Sequence, residues 1–423
     1  MLGCCETRSG GATVAQSLDS LVKQGEGDQH AVDLGDGIFM SRNIANSYLV
    51  TSPEGDVLIN TGTHFEADGI KERFAKVSSG PLRVVTFTQG HPDHVGGWDW
   101  FNDPGVETIA QANHGDVREY WRNLHPFYVR RIMKLWGAFM DVASSAADMP
   151  PEPVLTSSFI DNHAFEVGGR RFELYSTPGG ETTDALAVWM PEHRTAFIGN
   201  LMGPFFGHVP NLYTLRGDKI RSAMAFIHSV DRIIALRPQI LVNGHEAFRG
   251  ADEIEATMTK VRDATKYLRD RTIDGMNNGH DLWTLMGDVA LPSDLSIPQV
   301  HGKVPWIVRS IWEEHVGWFR YESTTELYDV PASAVWPDVV ELAGGTTALL
   351  ERAKAHVDGG RPLRALHLTD IILSQAPDDR AASTVKRDAL QQLLAAADGE
   401  KNHSELQWLQ QELNAAKADE EKK

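Results

Sequence analysis

Cysteine is nearly absent from this 423-residue chain: there are two, Cys4 and Cys5, side by side in a stretch containing glycine and serine. Adjacent cysteines rarely pair, so a disulfide framework is excluded and both read as unstructured thiols. An apolar run of ~18 or more residues is also missing, as is a charged-then-apolar leader. The expectation is therefore a cytoplasmic protein with no membrane span. Positive charge is short too. Forty lysines and arginines face 58 acidic residues, for a net charge of −18, and no basic patch with interleaved aromatics offsets it. A nucleic-acid partner is not expected, and an anionic small molecule would need local positive charge or a metal.

What is present is globular in composition, at 42% hydrophobic residues, and long enough for two domains. Residues 1–28 form a polar, poorly patterned arm. Gly37 to Met40, Asn46 to Val50 and Gly55 to Gly62 then read as strands of a β-meander, followed by a helix that places Ile70 and Phe74 on one face.

The informative stretch is Val84-Val85-Thr86-Phe87-Thr88-Gln89-Gly90-His91-Pro92-Asp93-His94. A β-branched apolar run breaks at Gln89-Gly90, and two imidazoles and a carboxylate follow within four residues. Neutral imidazole and carboxylate are ligands for a borderline cation, and His91, Asp93 and His94 cannot all face one way, which hints at two metal positions. Three later stretches repeat the pattern of an apolar strand ending in a metal-competent residue. Phe172 to Ser176 breaks at Pro178-Gly179-Gly180 before Glu181, Thr195 to Ile198 leads to Asn200, and Ile240 to Val242 leads to His245. His114, at a helix start, could cap or line the site, and reads in preference as a solvated or helix-surface histidine. The stretch from His125 to Val142, with Phe127, Tyr128, Ile132, Met133, Leu135, Trp136, Phe139 and Met140, is too apolar for a surface helix. It is either core or a lid over an apolar pocket.

Gln89-x-His91-x-Asp93-His94 resembles the HxHxDH signature of the metallo-β-lactamase superfamily. With Pro178-Gly179-Gly180-Glu181, the stretch Asn211-Leu212-Tyr213-Thr214-Leu215-Arg216-Gly217 and Gly244-His245, it resembles the alkyl sulfatase branch. Arg271 to Gly279 and Gly302 to Phe319 resemble that branch's helical dimerisation domain. The resemblance implies an α/β fold, an αββα sandwich, followed by an all-α dimerisation domain. The expected partition is an arm at 1–28, a catalytic domain at 29–254, a helical domain at 255–400 and a helical or frayed charged tail at 401–423. It further implies zinc, one or two ions per chain, with His91 and Glu181 on one metal and Asp93, His94 and His245 on the other. Two positions depart from the family: Gln89 stands where a histidine is usual, and Asn200 aligns with an acidic bridging residue. Each amide offers only a carbonyl oxygen.

The expected reaction is hydrolysis of a sulfate ester or other small anionic ester by attack of metal-bound hydroxide. Asp93 and Arg216 are the catalytic candidates. Arg216 carries a planar fork suited to sulfate, phosphate or carboxylate, although a structural salt bridge would also explain it. Asn211 and Tyr213 are the further substrate contacts, and Asp184 and His208 are second-tier candidates. The alternative is a remodelled relative that hydrolyses neutral esters or lactones, or a non-catalytic binding dimer. The apolar spacing of Val304, Ile307, Val308, Ile311, Trp312 and Phe319 makes a face that a domain or a partner must cover, and the resemblance implies a homodimer.

Overall fold

In the computed structural model, residues 23–136 and 150–421 are described. Cys4, Cys5, Phe139 and Met140 lie outside them. Among the described residues thirteen short strands form two sheets. The first runs in chain order: β1 (Val32–Gly35), β2 (Ile38–Ser41), β3 (Ser47–Val50), β4 (Asp56–Ile59), β5 (Leu82–Thr86), β6 (Glu107–Gln111) and β7 (Ser157–Phe159). It is an antiparallel meander as far as β4 and parallel from β4 to β7. The second comprises β8 (Asn162–Val167), β9 (Arg170–Ser176), β10 (Leu186–Met190), β11 (Thr195–Phe197), β12 (Ile240–Val242) and β13 (Ala247–Arg249). Only its β11–β12 pair is parallel.

The alternation of each strand explains the layering. Ile38, Tyr48, Ile59 and Val84 of the first sheet meet Phe172, Leu174, Val188 and Phe197 of the second in a buried core between the sheets. The opposite face of the first sheet carries Leu58 and Val85, covered by Ile70 and Phe74 of helix α1 (Ala67–Ala75). The outer face of the second sheet is covered by α5 (Ala223–Leu236), α6 (Ala251–Asn277) and α8 (Val304–Val316). These layers make the expected αββα sandwich, with helices beyond it. In α8, Val304, Ile307, Val308 and Ile311 are buried against the protein's own second sheet and neighbouring helices. That apolar face is therefore covered from within the chain.

Between these come α2 (Pro92–Val95), α3 (His114–Asn123), α4 (His125–Trp136) and α7 (Leu282–Asp288). After Gly317 follow α9 (Trp336–Leu342), α10 (Thr346–Asp358), α11 (Pro362–Gln375), α12 (Arg380–Glu400) and α13 (His403–Glu421). The last of these is a continuous helix whose start is anchored: buried Asn402 donates to the carbonyl of Gln299 at 2.6 Å, and the His403 N–H to that of Val300 at 2.8 Å. The end of the predicted N-terminal arm is anchored too, since the Gln24 amide donates to the His245 carbonyl at 2.7 Å.

Candidate active site

Four loops leave the strand ends on one edge of the sandwich. In the parallel pair β11–β12, Phe197 lies opposite Val242, so residues three positions beyond each, Asn200 and His245, emerge together. The two sheets are stitched at this edge by the Leu186 N–H donating to the Thr88 carbonyl at 2.8 Å. Gly90 is held on both faces, its N–H by Asp184 at 3.2 Å and its carbonyl by buried Arg118 at 2.8 Å. A Cβ on Gly90 would fall 2.8 Å from both Asp184 and Val117, and one on Gly244 only 2.0 Å from the Asn200 side chain. Both loops therefore need glycine to bring backbone this close.

Hydrogen bonds orient the imidazoles. The Thr88 hydroxyl lies 3.1 Å from Asn60 Oδ1 and 3.2 Å from His94 Nδ1. With the hydroxyl donating to Asn60, His94 carries its proton on Nδ1 and turns a lone pair on Nε2 toward Asp93, 3.6 Å away. Asn200 Nδ2 is 3.4 Å from the same nitrogen. Asn243 accepts from the backbone N–H groups of His245 and Glu246, at 2.7 and 2.6 Å, in a turn that presents His245. Buried His245 Nδ1 and Asn200 Oδ1 have no hydrogen-bond partner among the described residues.

In the other half, Gln89 Oε1 accepts from the Asn200 backbone N–H at 3.3 Å, which leaves Gln89 Nε2 against His91 Nδ1 at 2.9 Å. Gln89 thus faces His91 with its nitrogen and not with the expected carbonyl oxygen. His91 Nε2 lies 3.3 Å from Asp218, and His91 Nδ1 is 3.4 Å from Glu181. Glu181 is in turn bound at 2.7 Å by Arg221, a buried guanidinium. Arg216 stacks over Trp121, 5.1 Å from the ring centroid, and reaches Asp218 at 3.4 Å.

Electrostatics follow the burial. Burial pushes His94 and His245 down to about 4, so both are neutral at pH 7. Burial works to raise the Asp93 and Asp218 carboxyls, but their neighbours win. His94, His91 and His245 hold Asp93 below its ordinary range, while His91, Arg216 and Arg221 do the same for Asp218. With 28% of its side chain exposed, the Asp93 carboxylate also keeps part of its hydration.

Two clefts open on either side of the Glu181–Arg221 pair. One, of about 460 Å³, is walled by Asn211, Thr214, Arg216, Arg221, His301 and the α13 residues Ser404 and Gln407. The other, of about 610 Å³, has Val117, Tyr120, Trp121, Ile220 and Asp218 in its walls. Arg216 and Asn211 thus both face the first cleft. Tyr213 lines neither and turns to Glu313 of α8. His208 is buried beside Phe205 and His301 and itself lines neither cleft. His114 is not at the surface: it is buried, bonded to Asp184 at 2.7 Å and stacked on Phe87. Its acidic partner, 70 residues later in sequence, pulls it inward. In α4, Tyr128 and Leu135 are buried while Phe127 remains 42% exposed, so that helix is two-faced.

The sequence matches the metallo-beta-lactamase superfamily over residues 40–245 and the alkyl sulfatase dimerisation family over residues 288–415. A linear primary-alkylsulfatase from Pseudomonas sp. is 24% identical over 376 residues, covering 82% of this chain and 69% of the relative. An alkyl/aryl-sulfatase from Saccharomyces cerevisiae is 22% identical over 394 residues, covering 85% of this chain and 60% of the relative. The solved structure of the stereoselective inverting sec-alkylsulfatase Pisa1 from Pseudomonas sp. superposes with a TM-score of 0.78 at 20% identity, covering 92% of this chain and 66% of that one. The chain belongs to the metallo-β-lactamase superfamily, in its alkyl sulfatase-like branch. It spans between 57 and 69% of the length of the curated relatives it matches.

Members of this superfamily generally bind divalent metals such as zinc. Among the described residues, no three His, Cys, Asp or Glu side chains form a ready-made metal cage. The Asp93 half nevertheless suits a divalent ion. Its 3.6 Å separation of Asp93 and His94 is too long for a hydrogen bond and close to the ~3.4 Å ligand-to-ligand edge of a tetrahedral site with ~2.1 Å bonds. Partnerless His245 Nδ1 and Asn200 Oδ1 lie in the same half. In the His91 half the facing atoms already have closer partners, Gln89 at 2.9 Å and Arg221 at 2.7 Å.

Proposed function

We propose that this protein is a metal-dependent hydrolase that cleaves a sulfate ester, with zinc as the divalent ion. The observation that carries the reading is that an arginine-walled cleft adjoins the imidazole and carboxylate cluster of the strand-end loops. Asp93, His94 and His245 would hold the ion, and there it would supply Lewis acidity that brings the pKa of water toward ~7. The chain's own residues do the rest. Thr88 fixes the His94 tautomer, an Asp93 oxygen would accept the proton that the attacking water gives up, and Arg216 and Arg221 would bind the sulfate oxygens by charge-assisted hydrogen bonds. The named relatives are alkylsulfatases, which supports the ester class. The aromatic cleft lined by Tyr120 and Trp121 is suited to the apolar alcohol portion.

The same reading includes a homodimer. Between α8 and α10 the chain exposes Trp318 at 73%, Tyr321 at 87% and Leu342 at 88%, inside the segment that matches the dimerisation family. Exposed large apolar groups within this segment support an interface there. The direct assay incubates the purified, zinc-supplemented protein with short primary and secondary alkyl sulfates and with the matching neutral acetates. Sulfate release is followed by ion chromatography and acetate hydrolysis by pH-stat. Release of sulfate supports the proposal; turnover of the acetates alone moves the assignment to a neutral-ester hydrolase.

A further inference from the structure

The two halves of the site differ in what they leave unsatisfied. In the His91 half the acceptors of Gln89, His91, Glu181 and Asp218 are all engaged, and the partnerless atom of the Arg221–Glu181 pair is a donor, Arg221 Nε. The Asn200 backbone N–H fixes Gln89 Oε1, Gln89 Nε2 donates to His91 Nδ1 at 2.9 Å, and His91 Nε2 faces Asp218 at 3.3 Å. Glu181 accepts from Arg221 at 2.7 Å, and Arg221 is locked by the carbonyls of Gly180 at 3.1 Å and Asn211 at 2.7 Å. Formal charge closes there as well: two carboxylates, Glu181 and Asp218, stand against two guanidiniums, Arg216 and Arg221.

The Asp93 half shows the opposite. It holds one carboxylate, no lysine or arginine paired to it among the described residues, and the two partnerless atoms on His245 and Asn200. A net negative charge and orphaned acceptors are what a cation would relieve.

We infer that this centre takes a single divalent ion, on Asp93, His94 and His245, and that the Arg221 guanidinium together with the Gln89 amide stands where a second ion would otherwise sit. The inference rests on the metal-dependent reading above. A second ion on His91 and Glu181 would have to strip Arg221 from its carboxylate, reverse the Gln89 amide against the Asn200 N–H, and lie beside a buried positive charge. Arg221 opens onto the same cleft as Arg216, so a guanidinium on the protein, and not a second metal, faces the anionic head on that side.

The test is metal stoichiometry. The full chain is saturated with zinc, freed of excess by gel filtration, and analysed by inductively coupled plasma mass spectrometry; cobalt(II)-loaded protein is examined by electron paramagnetic resonance. One zinc per chain and the spectrum of isolated high-spin cobalt are expected. In the double variant Gln89→His, Arg221→Gln the plateau should rise to two. Should that variant fail to fold by circular dichroism, the wild-type plateau and the cobalt spectrum still decide. Two zinc ions per wild-type chain, or spin-coupled cobalt, would overturn the inference. A plateau of zero would instead overturn the metal-dependent reading beneath it.

Discussion

Arg216 is where charge meets chemistry at the scale of a single residue. It lies on the wall of the smaller cleft, with Trp121 beneath its guanidinium and Asp218 at 3.4 Å. A lost charge-assisted hydrogen bond costs ~1.5–3 kcal/mol, so Arg216→Leu should lower kcat/KM for sulfated esters roughly 10- to 150-fold. Arg216→Lys should recover only part, because an ammonium cannot make the bidentate contact. Steady-state kinetics on paired sulfated and neutral esters check this; equal losses on both would make Arg216 a structural residue held by Asp218. Much of the site could be read one residue at a time, because His91, Asp93, His94, Glu181, Asn200 and His245 each follow an apolar strand. Arg221, Asp218 and Trp121 could not. They sit at no strand end, and what brings them in is pairing with Glu181 and His91, residues 30 and more positions away.

Among the elements, the C-terminal helix departs most from a reading of composition. Its Lys-, Glu- and Asp-rich end looks solvated, yet its first turn closes the smaller cleft. There Ser404 meets His301 Nδ1 at 2.7 Å, and His301 Nε2 meets the Asn211 amide at 3.1 Å. Because the Asn211 amide donates to Nε2, the His301 proton lies on Nδ1 and goes to Ser404, so the helix fixes the pose of Asn211 in the cleft. Ser404→Ala should cost ~1 kcal/mol, or about fivefold in kcat/KM, while leaving the circular dichroism spectrum and metal content unchanged. An unaltered kcat/KM would show that Asn211 needs no such support. The strands were the legible elements, since β2 to β6 and the four strands feeding the site carry β-branched or alternating apolar residues. Strands β1, β7, β8, β10 and β13 do not stand out in the sequence. Leu186 to Met190 are buried on both faces, and a short continuous apolar run has no period to tell strand from helix. The boundary expected near residue 254 follows the change to helical composition. Because α6 and α8 bury their apolar faces on the second sheet, we propose that the physical division falls later, near Gly317.

At the scale of the whole molecule, two consequences can be measured. Burial holds His94, His208 and His245 near 4, against an ordinary value of 6.5. The unfolded chain takes up these protons as pH falls below 6.5 and the folded chain does not. Their contribution is therefore complete above 6.5, drains between 6.5 and 4, and is level below that, at most about 1.4 kcal/mol per pH unit for each histidine. Tm of the chelated protein should fall steadily over that window, and a flat Tm from pH 6.5 to 4.5 would contradict the burial of these rings. Association is the second consequence. If the exposed Trp318 to Leu342 segment forms the dimer contact, light scattering should give twice 46.8 kDa, and Leu342→Asp should shift the protein toward monomer without unfolding it.

Hydrolysis of a sulfate ester with a metal held by the strand-end loops is tested most directly by following sulfate release from a short alkyl sulfate before chelation, after chelation, and after zinc is restored. Chelation should abolish release, zinc should return it, and His94→Ala should behave as the chelated protein does even in excess zinc. Undiminished release from protein shown to be metal-free would contradict a metal-dependent reaction.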